Sequence, residues 1–390
     1  MLVQQRFYLY SMINVLTIVS YPFLPPKMGG QKGIAMFYQF LAPKLNLTCI
    51  TTTNNDAAEV KSYEVIRLLS SSRLRYINIF YFFSIRKIIH QKKISHLIIE
   101  HPYYGWLGLL LQWSTKVKLI IHSHNIESLR FKSTGKWWWK ILWHYESFTH
   151  RRANCSFFIH DEDRNYAIEK FSLDPTKCFS ITYGFELEQA PVASDKATAR
   201  QTLCSKYGIA ADETILLFNG TLDYRPNLDA LDIILEKINP LLLADSGYKY
   251  RIIICGKKLP ARYNELQPYA EKNILYAGFV DDITVFFKGA DILLNPVTDG
   301  GGIKTKVVEA LGYDLTVIST QSGAIGIPEN ICGGKLKLMA DNDWDDFARE
   351  IRKVKSDSAI PKAFFNHFYW GNIAEKAAAA IQRCAVKADQ

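Results

Sequence analysis

The chain has 390 residues, 48% of them hydrophobic and 22% charged, a balance that excludes a disordered or fibrous protein and leaves room for two globular domains. No apolar run reaches the roughly 20 residues a membrane-spanning helix needs. Seven cysteines (49, 155, 178, 204, 255, 332, 384) are odd in number and lack C-x-x-C spacing, which argues against a disulfide framework or a zinc site and for a reducing compartment. The net charge of +9 is unevenly placed. Residues 61–160 hold 16 Lys and Arg against 4 Asp and Glu, together with six of the eight tryptophans.

In chain order, residues 7–20 imitate the apolar part of a secretion signal, but Tyr21-Pro22-Phe23 offers no small-residue cleavage site. Residues 13–19 read as the first buried strand, and 1–11 as an extension of little structural consequence. Gly29-Gly30 then opens a helix whose Ile34, Phe37, Tyr38 and Leu41 share a face, with an anion-ready N-terminus. G-x-G-x-x-G is missing, which weighs against a dinucleotide-dependent dehydrogenase. Strands are expected over 45–51, 97–100, 118–122, 155–159 and 178–182, alternating with helical segments as in an α/β domain.

Ligands of open α/β sheets bind beyond the carboxyl ends of the strands. Two such ends carry histidines: His101-Pro102-Tyr103, and the stretch His122 to Glu127. His122 and His124 alternate along an extended segment and so point the same way. No third ligand has recognisable spacing, so a substrate-facing role for His124 is expected rather than a metal. In KWWWKILWHYE (136–146), Trp139 and Trp143 lie one helical turn apart beside Leu142, flanked by Lys136 and Lys140. With Arg73, Arg75, Arg86, Lys87, Lys92 and Lys93 around the aromatic run 76–83, this suits contact with an anionic membrane surface over 71–145. Buried tryptophans with lysines at the rim are the plainer alternative. Nucleic acid is not expected.

Residues 190–213 read as a linker with a helical portion. A second α/β domain follows, with strands over 214–219, 251–255 and 274–278 and the loop Gly220-Thr221-Leu222-Asp223-Tyr224-Arg225-Pro226-Asn227. The stretch 291–320 is a βαβ unit, in which a strand runs into Gly300-Gly301-Gly302, a helix starts near Lys304, and a second strand follows Gly312. Helical side chains lean toward the N-terminus, so Glu309 reaches back toward the glycines, with Lys306 a turn earlier and Lys304 at the junction. A carboxylate suits vicinal hydroxyls and ammonium groups suit phosphate oxygens. Asn372 and Glu375 form a capping-box pair for a last helix running to Val386.

The segments FNGTLDYRPNLDAL, RIIICGKK, ILYAGFVDDITVFFKGADILLNPV and DGGGIKTKVVEALGYDLTVISTQSGAIGI resemble, in order and spacing, the C-terminal domain of glycosyltransferase family 4. Gly29-Gly30, IIHSHNIES (120–128) and FSITYGFE (179–186) resemble its N-terminal half. The resemblance implies an α/β chain of the GT-B class, two Rossmann-like domains facing a cleft, with boundaries at 12–189, 190–213 (linker), 214–365 and 366–390, the last a helix packing back on the first domain. It implies a retaining transferase that moves a sugar from a nucleotide-diphosphate donor to a glycan or lipid-linked acceptor in cell-surface polysaccharide synthesis. It needs no metal or cofactor and is placed in the cytoplasm, peripheral to the inner face of the membrane.

Carried over by residue, Glu309 matches the second glutamate of the family's E-x7-E signature, which binds donor ribose, and with His124 makes the catalytic pair. Gly301, Gly302, Ile303 and Lys304 match the diphosphate cradle, joined on the donor side by Lys306, Gly29, Gly30, Gly220, Thr221, Arg225 and Lys257. His101, Tyr103 and His122 fall on the acceptor side. The first signature glutamate is replaced by Gly301, Thr221 stands where many members have arginine, and Asn227 where many have lysine. Two other readings remain open: a sugar-nucleotide epimerase of the same fold, and a non-catalytic protein that binds sugar nucleotides or polysaccharide.

Overall fold

The computed structural model describes residues 13–26, 29–354 and 358–386. The expected N-terminal extension, 1–11, lies outside the described residues. The chain divides into one unit of residues 1–186 with 368–390 and a second of 187–367.

The first unit is built on a seven-stranded sheet of β1 (Asn14–Ile18), β2 (Asn46–Thr52), β3 (Glu64–Leu69), β4 (His96–Glu100), β5 (Lys118–Ser123), β6 (Cys155–Phe158) and β7 (Cys178–Ser180). Its order is β3-β2-β1-β4-β5-β6-β7 and every pairing is parallel. Strands covered by helices on both faces read as unbroken apolar runs, and β4 (HLIIE) is buried at all five positions. The second unit has six parallel strands: β8 (Thr214–Asn219), β9 (Tyr250–Cys255), β10 (Ile274–Gly278), β11 (Ile292–Asn295), β12 (Thr316–Thr320) and β13 (Leu336–Met339). Their order is β10-β9-β8-β11-β12-β13.

In each sheet the order reverses once, between β1 and β4 in the first and between β8 and β11 in the second. Neighbouring crossover helices lie on opposite faces there, so the carboxyl ends of those two strands open a crevice. Ser20-Tyr21 and Glu100-His101 follow β1 and β4; Asn219-Gly220 and the glycine loop follow β8 and β11. Topology alone thus marks one ligand-binding end per unit.

The helical portion expected within 190–213 is the helix Ala193–Tyr207, with Ala199 and Leu203 buried. It lies so close to the helix Thr284–Gly289 that a Cβ on Gly289 would stand 2.8 Å from the Ala199 backbone. The capping box is not formed: the last helix begins at Trp370, ahead of Asn372, and Glu375 pairs with Lys44. Its buried Ile373, Ala374, Ala377, Ala378 and Ile381 belong to the first unit, whose helix Gly29–Leu41 brings Phe37 within 6.3 Å of Trp370. The cysteine spacing also misled. Cys155 and Cys384, 229 residues apart, form a disulfide between β6 and this helix, a pairing that only the fold brings together.

Candidate active site

At the reversal point of the first sheet, β4 ends on Glu100, which is paired in register with His122 of β5. The Glu100 carboxylate is buried and accepts three hydrogen bonds, from Tyr38 Oη (2.6 Å), His122 Nδ1 (3.2 Å) and His124 Nε2 (2.7 Å). Burial opposes its ionisation, yet the His122 charge and the imidazole hydrogen bonds hold the carboxyl well below the usual carboxylate range. Burial, helped by the neighbouring His101, pushes His124 down to about 4, so its ring is neutral near pH 7. An ionised carboxylate accepts only, so Nε2 of His124 carries the proton and Nδ1 keeps its lone pair. His124 Nδ1 has no hydrogen-bond partner among the described residues. That nitrogen can accept a hydrogen bond.

A second carboxylate–imidazole pair adjoins the first. His101 Nδ1 lies 3.0 Å from Glu127 Oε1, and His101 Nε2 lies 3.0 Å from Tyr21 Oη. Tyr103 Oη and Arg130 also engage Glu127. Despite burial, His101, Arg130 and Tyr103 keep the Glu127 carboxyl far below its ordinary value. The rings of His101 and His124 are 4.5 Å apart, and those of His122 and His124 4.8 Å. His101 adopts φ 61°, a strained conformation for a side-chain-bearing residue, and this turns its ring into the cluster. Glu146 accepts from the N–H groups of Glu127 and Ser128, fixing the start of the helix Glu127–Ser133; burial raises its carboxyl to about 7. Glu100, His122 and His124 also hold their ligand atoms within 4.8 Å of one another, as a metal site would. Their facing nitrogens are already bonded to the carboxylate.

In the second unit the glycine loop needs its glycines, since Gly300 and Gly302 have φ of 94° and 73°. The helix Thr305–Gly312 follows, with Lys304 at its N-cap. Lys304 Nζ turns back onto the carbonyls of Gly300 and Gly302 and so braces the loop from inside. Lys306 is 9% exposed, and its Nζ meets only carbonyl oxygens, Asn219 O and Asn227 Oδ1, both at 3.2 Å, above the Phe218 ring at 4.4 Å. Among the described residues no carboxylate lies within ion-pair distance of it. Burial and the like charge of Lys304 lower the Lys306 ammonium to about 7. Glu309 stands half-buried one turn on, on the same side of the helix.

Gly220 and Thr221 close this pocket of carbonyls. A Cβ on Gly220 would meet the Asn227 amide at 2.7 Å, and one on Gly256 would strike Gly220 O at 2.1 Å. The Thr221 carbonyl accepts from Asn227 Nδ2. A Cβ on Gly300 would be 3.0 Å from Pro226, so the glycine loop lies against the loop after β8. Two expected cations have other partners. The Arg225 side chain is 83% exposed and paired with Asp229, while Lys257 lies 5.9 Å from the Phe279 ring. Gly29 and Gly30 are the first two residues of their helix, and a Cβ on Gly30 would meet open space. Gly301, Gly302 and Ile303 form the approach to the Lys304 cap.

The first unit coincides with a match of residues 31–189 to a family described as "Glycosyltransferase Family 4", and the second with a match of 213–357 to "Glycosyl transferases group 1". The chain belongs to the glycosyltransferases related to family 4. An Escherichia coli relative of this glycosyltransferase, a UDP-Gal:alpha-D-GlcNAc-diphosphoundecaprenol alpha-1,3-galactosyltransferase, is 22% identical over 286 residues, 71% of this chain and 70% of the relative. A glycosyltransferase from Rickettsia africae superposes with a TM-score of 0.74 at 15% identity, over 97% of this chain and 100% of that one. Anabaena HepE in complex with UDP and glucose superposes at 0.68 with 13% identity, over 95% and 99%. These two are likenesses of fold, and the fold is GT-B.

Sequence reasoning missed Glu100, Glu127, Tyr21 and Tyr38, although Glu100 had one readable signal, a charge closing a fully apolar strand.

Lys306 costs the donor-free glycosyltransferase stability. Between about pH 7, where its folded form titrates, and 10.5, its ordinary value, the unfolded chain binds more protons than the folded one. Its contribution to stability therefore rises with pH across that window and falls away toward pH 7. Lys306→Met should raise the melting temperature of the free protein, by more at pH 6 than at pH 9. An equal or larger gain at pH 9 in thermal unfolding would contradict the assignment.

Proposed function

We propose that this glycosyltransferase binds the diphosphate of a nucleotide-sugar donor on Lys306 and the glycine loop, and transfers the sugar with retention. The supporting observation is the Lys306 ammonium, buried against carbonyl oxygens with no carboxylate counter-charge among the described residues. An isolated buried cation is costly, and an arriving anion removes the cost. The N-terminus of the helix Thr305–Gly312 adds its partial positive charge to the same place. Charge that develops on the leaving diphosphate is then met by groups already in position. Lys304 shapes the loop, Glu309 takes the ribose hydroxyls, and Gly301, where family members carry a first glutamate, leaves more room beside the donor sugar. In the first unit His124 accepts a hydrogen bond from a sugar hydroxyl through Nδ1, and Glu100 fixes its tautomer. The departing phosphate takes the proton of the acceptor hydroxyl.

A thermal-shift screen of UDP- and GDP-sugars should find a donor that stabilises the protein. Lys306→Ala and Glu309→Ala should each lose about 100-fold or more in kcat/KM for it, about 2.7 kcal/mol of transition-state stabilisation, while remaining folded. Wild-type kinetics in both variants would remove the site.

The acceptor we infer is a glycan on a lipid carrier, reached at an anionic membrane surface. The E. coli relative's diphosphoundecaprenol acceptor supports this, and so does the protein's own surface. Between residues 65 and 160 the acidic side chains are Glu100, Glu127 and Glu146, all buried, so that stretch presents no exposed carboxylate among its many Lys and Arg. Trp113 and Trp137, each 82% exposed, and Ile141 stand among those cations. Of the two rings expected to face the membrane, Trp143 donates to Tyr166 Oη and packs on Phe171, while the half-buried Trp139 lies beneath Lys132 and Lys140. No described helix is long and apolar enough to cross a membrane. The protein should float with anionic liposomes at low salt and release at high salt. Absence of flotation at low salt would exclude the membrane contact.

A further inference from the structure

Within the basic stretch one apolar feature is ordered differently from the rest. Leu74, Ile77, Phe80 and Phe83 recur every third residue along the 3-10 turn Arg73–Ile77 and the start of the helix Phe80–Gln91, and all are between 62% and 76% exposed. Three-residue spacing puts the side chains of a 3-10 turn on one edge, and of an α-helix on one face. The intervening Tyr76 and Phe82 point inward onto the core of the first unit. The segment is therefore two exposed apolar pairs, one on the turn and one on the helix, joined at the extended Asn78 into an apolar ridge that Tyr76 and Phe82 anchor inside.

The anchor leads to the acceptor-side cluster. Arg75 Nε donates to Ser20 O and Tyr76 Oη to Ser20 Oγ, while Tyr104 Oη and Trp106 Nε1 donate to the carbonyls of Arg75 and Tyr76. Ser20 is followed by Tyr21, whose phenol meets His101, and the Tyr76 ring lies 5.9 Å from that of Tyr103, which bonds Glu127. Ridge and histidine cluster are thus separated by one layer of side chains. A general membrane anchor needs no such link. The flanking charges are Arg73, Arg86 and Lys87, and the chain holds no Asp or Glu between Glu64 and Glu100, so the segment itself offers a phosphate only cations.

We propose that this ridge seats the hydrocarbon chain of the acceptor, a long-chain lipid bearing a phosphate or diphosphate, so that the acceptor enters from the bilayer with its chain still held by the protein. The inference rests on the glycosyltransferase reading but concerns the lipid alone, and its test needs no knowledge of the acceptor sugar. Binding of farnesyl diphosphate (fifteen carbons) and dimethylallyl diphosphate (five carbons) to the full chain is compared by calorimetry, for the wild type and for Leu74→Ser/Ile77→Ser/Phe80→Ser. The wild type should bind the longer chain at least 10-fold more tightly, and the variant should bind both alike. Stabilisation by the donor nucleotide, read in parallel, should be unchanged, which separates a failed ridge from a failed donor site. Equal binding of the two chains by the wild type, or a preference that survives in the variant, overturns the proposal. A variant that loses liposome flotation yet keeps the preference does so too, since the ridge would then be an anchor only. Phe80→Ser, a single change at an exposed helix start, gives the same reading should the triple variant lose its fold.

Discussion

A buried ammonium that meets only carbonyl oxygens is the constraint on which the second unit turns. Lys306 could have been a leucine at no loss to the helix, and its neighbours Asn219, Asn227 and Gly220 are packed as closely as any core. Backbone atoms form its surroundings because Gly220 and Gly256 let the ends of β8 and β9 touch. Lys304 does not share the charge outward; it holds the glycine loop by its carbonyls. In the proposed function, substrate binding means supplying the missing negative charge. The first unit has the opposite arrangement. Its buried charges, Glu100 and Glu127, are saturated by imidazoles, phenols and a guanidinium, and what they present is fixed geometry rather than open charge. One unit buries a cation without a carboxylate partner among the described residues, the other buries carboxylates that are fully hydrogen-bonded.

Both arrangements sit where their sheets reverse order, and that placement follows from parallel topology rather than from any single residue. The strands supply rigidity, and the residues just beyond their ends supply the chemistry. His101, with positive φ, and the left-handed Gly300 and Gly302 stand at these ends, although other turns of the chain carry positive φ as well. Strain there is carried by sheets buried on both faces, where local rearrangement would expose core.

Legibility of the sequence followed burial. Central strands such as HLIIE, RIIIC and ILLN were readable because burial on both faces leaves only apolar residues. Of the four edge strands, β7 and β10 were readable, but EVIRLL (β3) and LKLM (β13) were not, since half-exposed strands pair on one side only and carry charges. Glycine spacing and the paired histidines pointed to the strand ends at which the two sheets reverse order, because backbone angle and strand alternation are local properties. Side-chain direction was less accessible. Arg225 has the right charge and the right loop, but Asp229 one turn later claims it, a pairing visible in the i, i+4 spacing. Among the tryptophans, aromatic content did not say which rings are exposed: Trp143 is packed, and Trp113 and Trp137 are exposed. Glu100 and Glu127 went unread because a carboxylate acquires its meaning from histidines brought to it by other strands. The Cys155–Cys384 disulfide is the extreme case of the same effect.

If Lys306 is held mostly neutral until the diphosphate arrives, binding must draw a proton from solvent. Calorimetric titration of the preferred nucleoside diphosphate at pH 8, in two buffers of different ionisation enthalpy, counts that proton directly. The wild type should take up more protons than Lys306→Met, the difference approaching about one per site. Equal uptake by the two proteins, with binding retained in both, would show that the buried lysine does not face the diphosphate and would contradict the account at its centre.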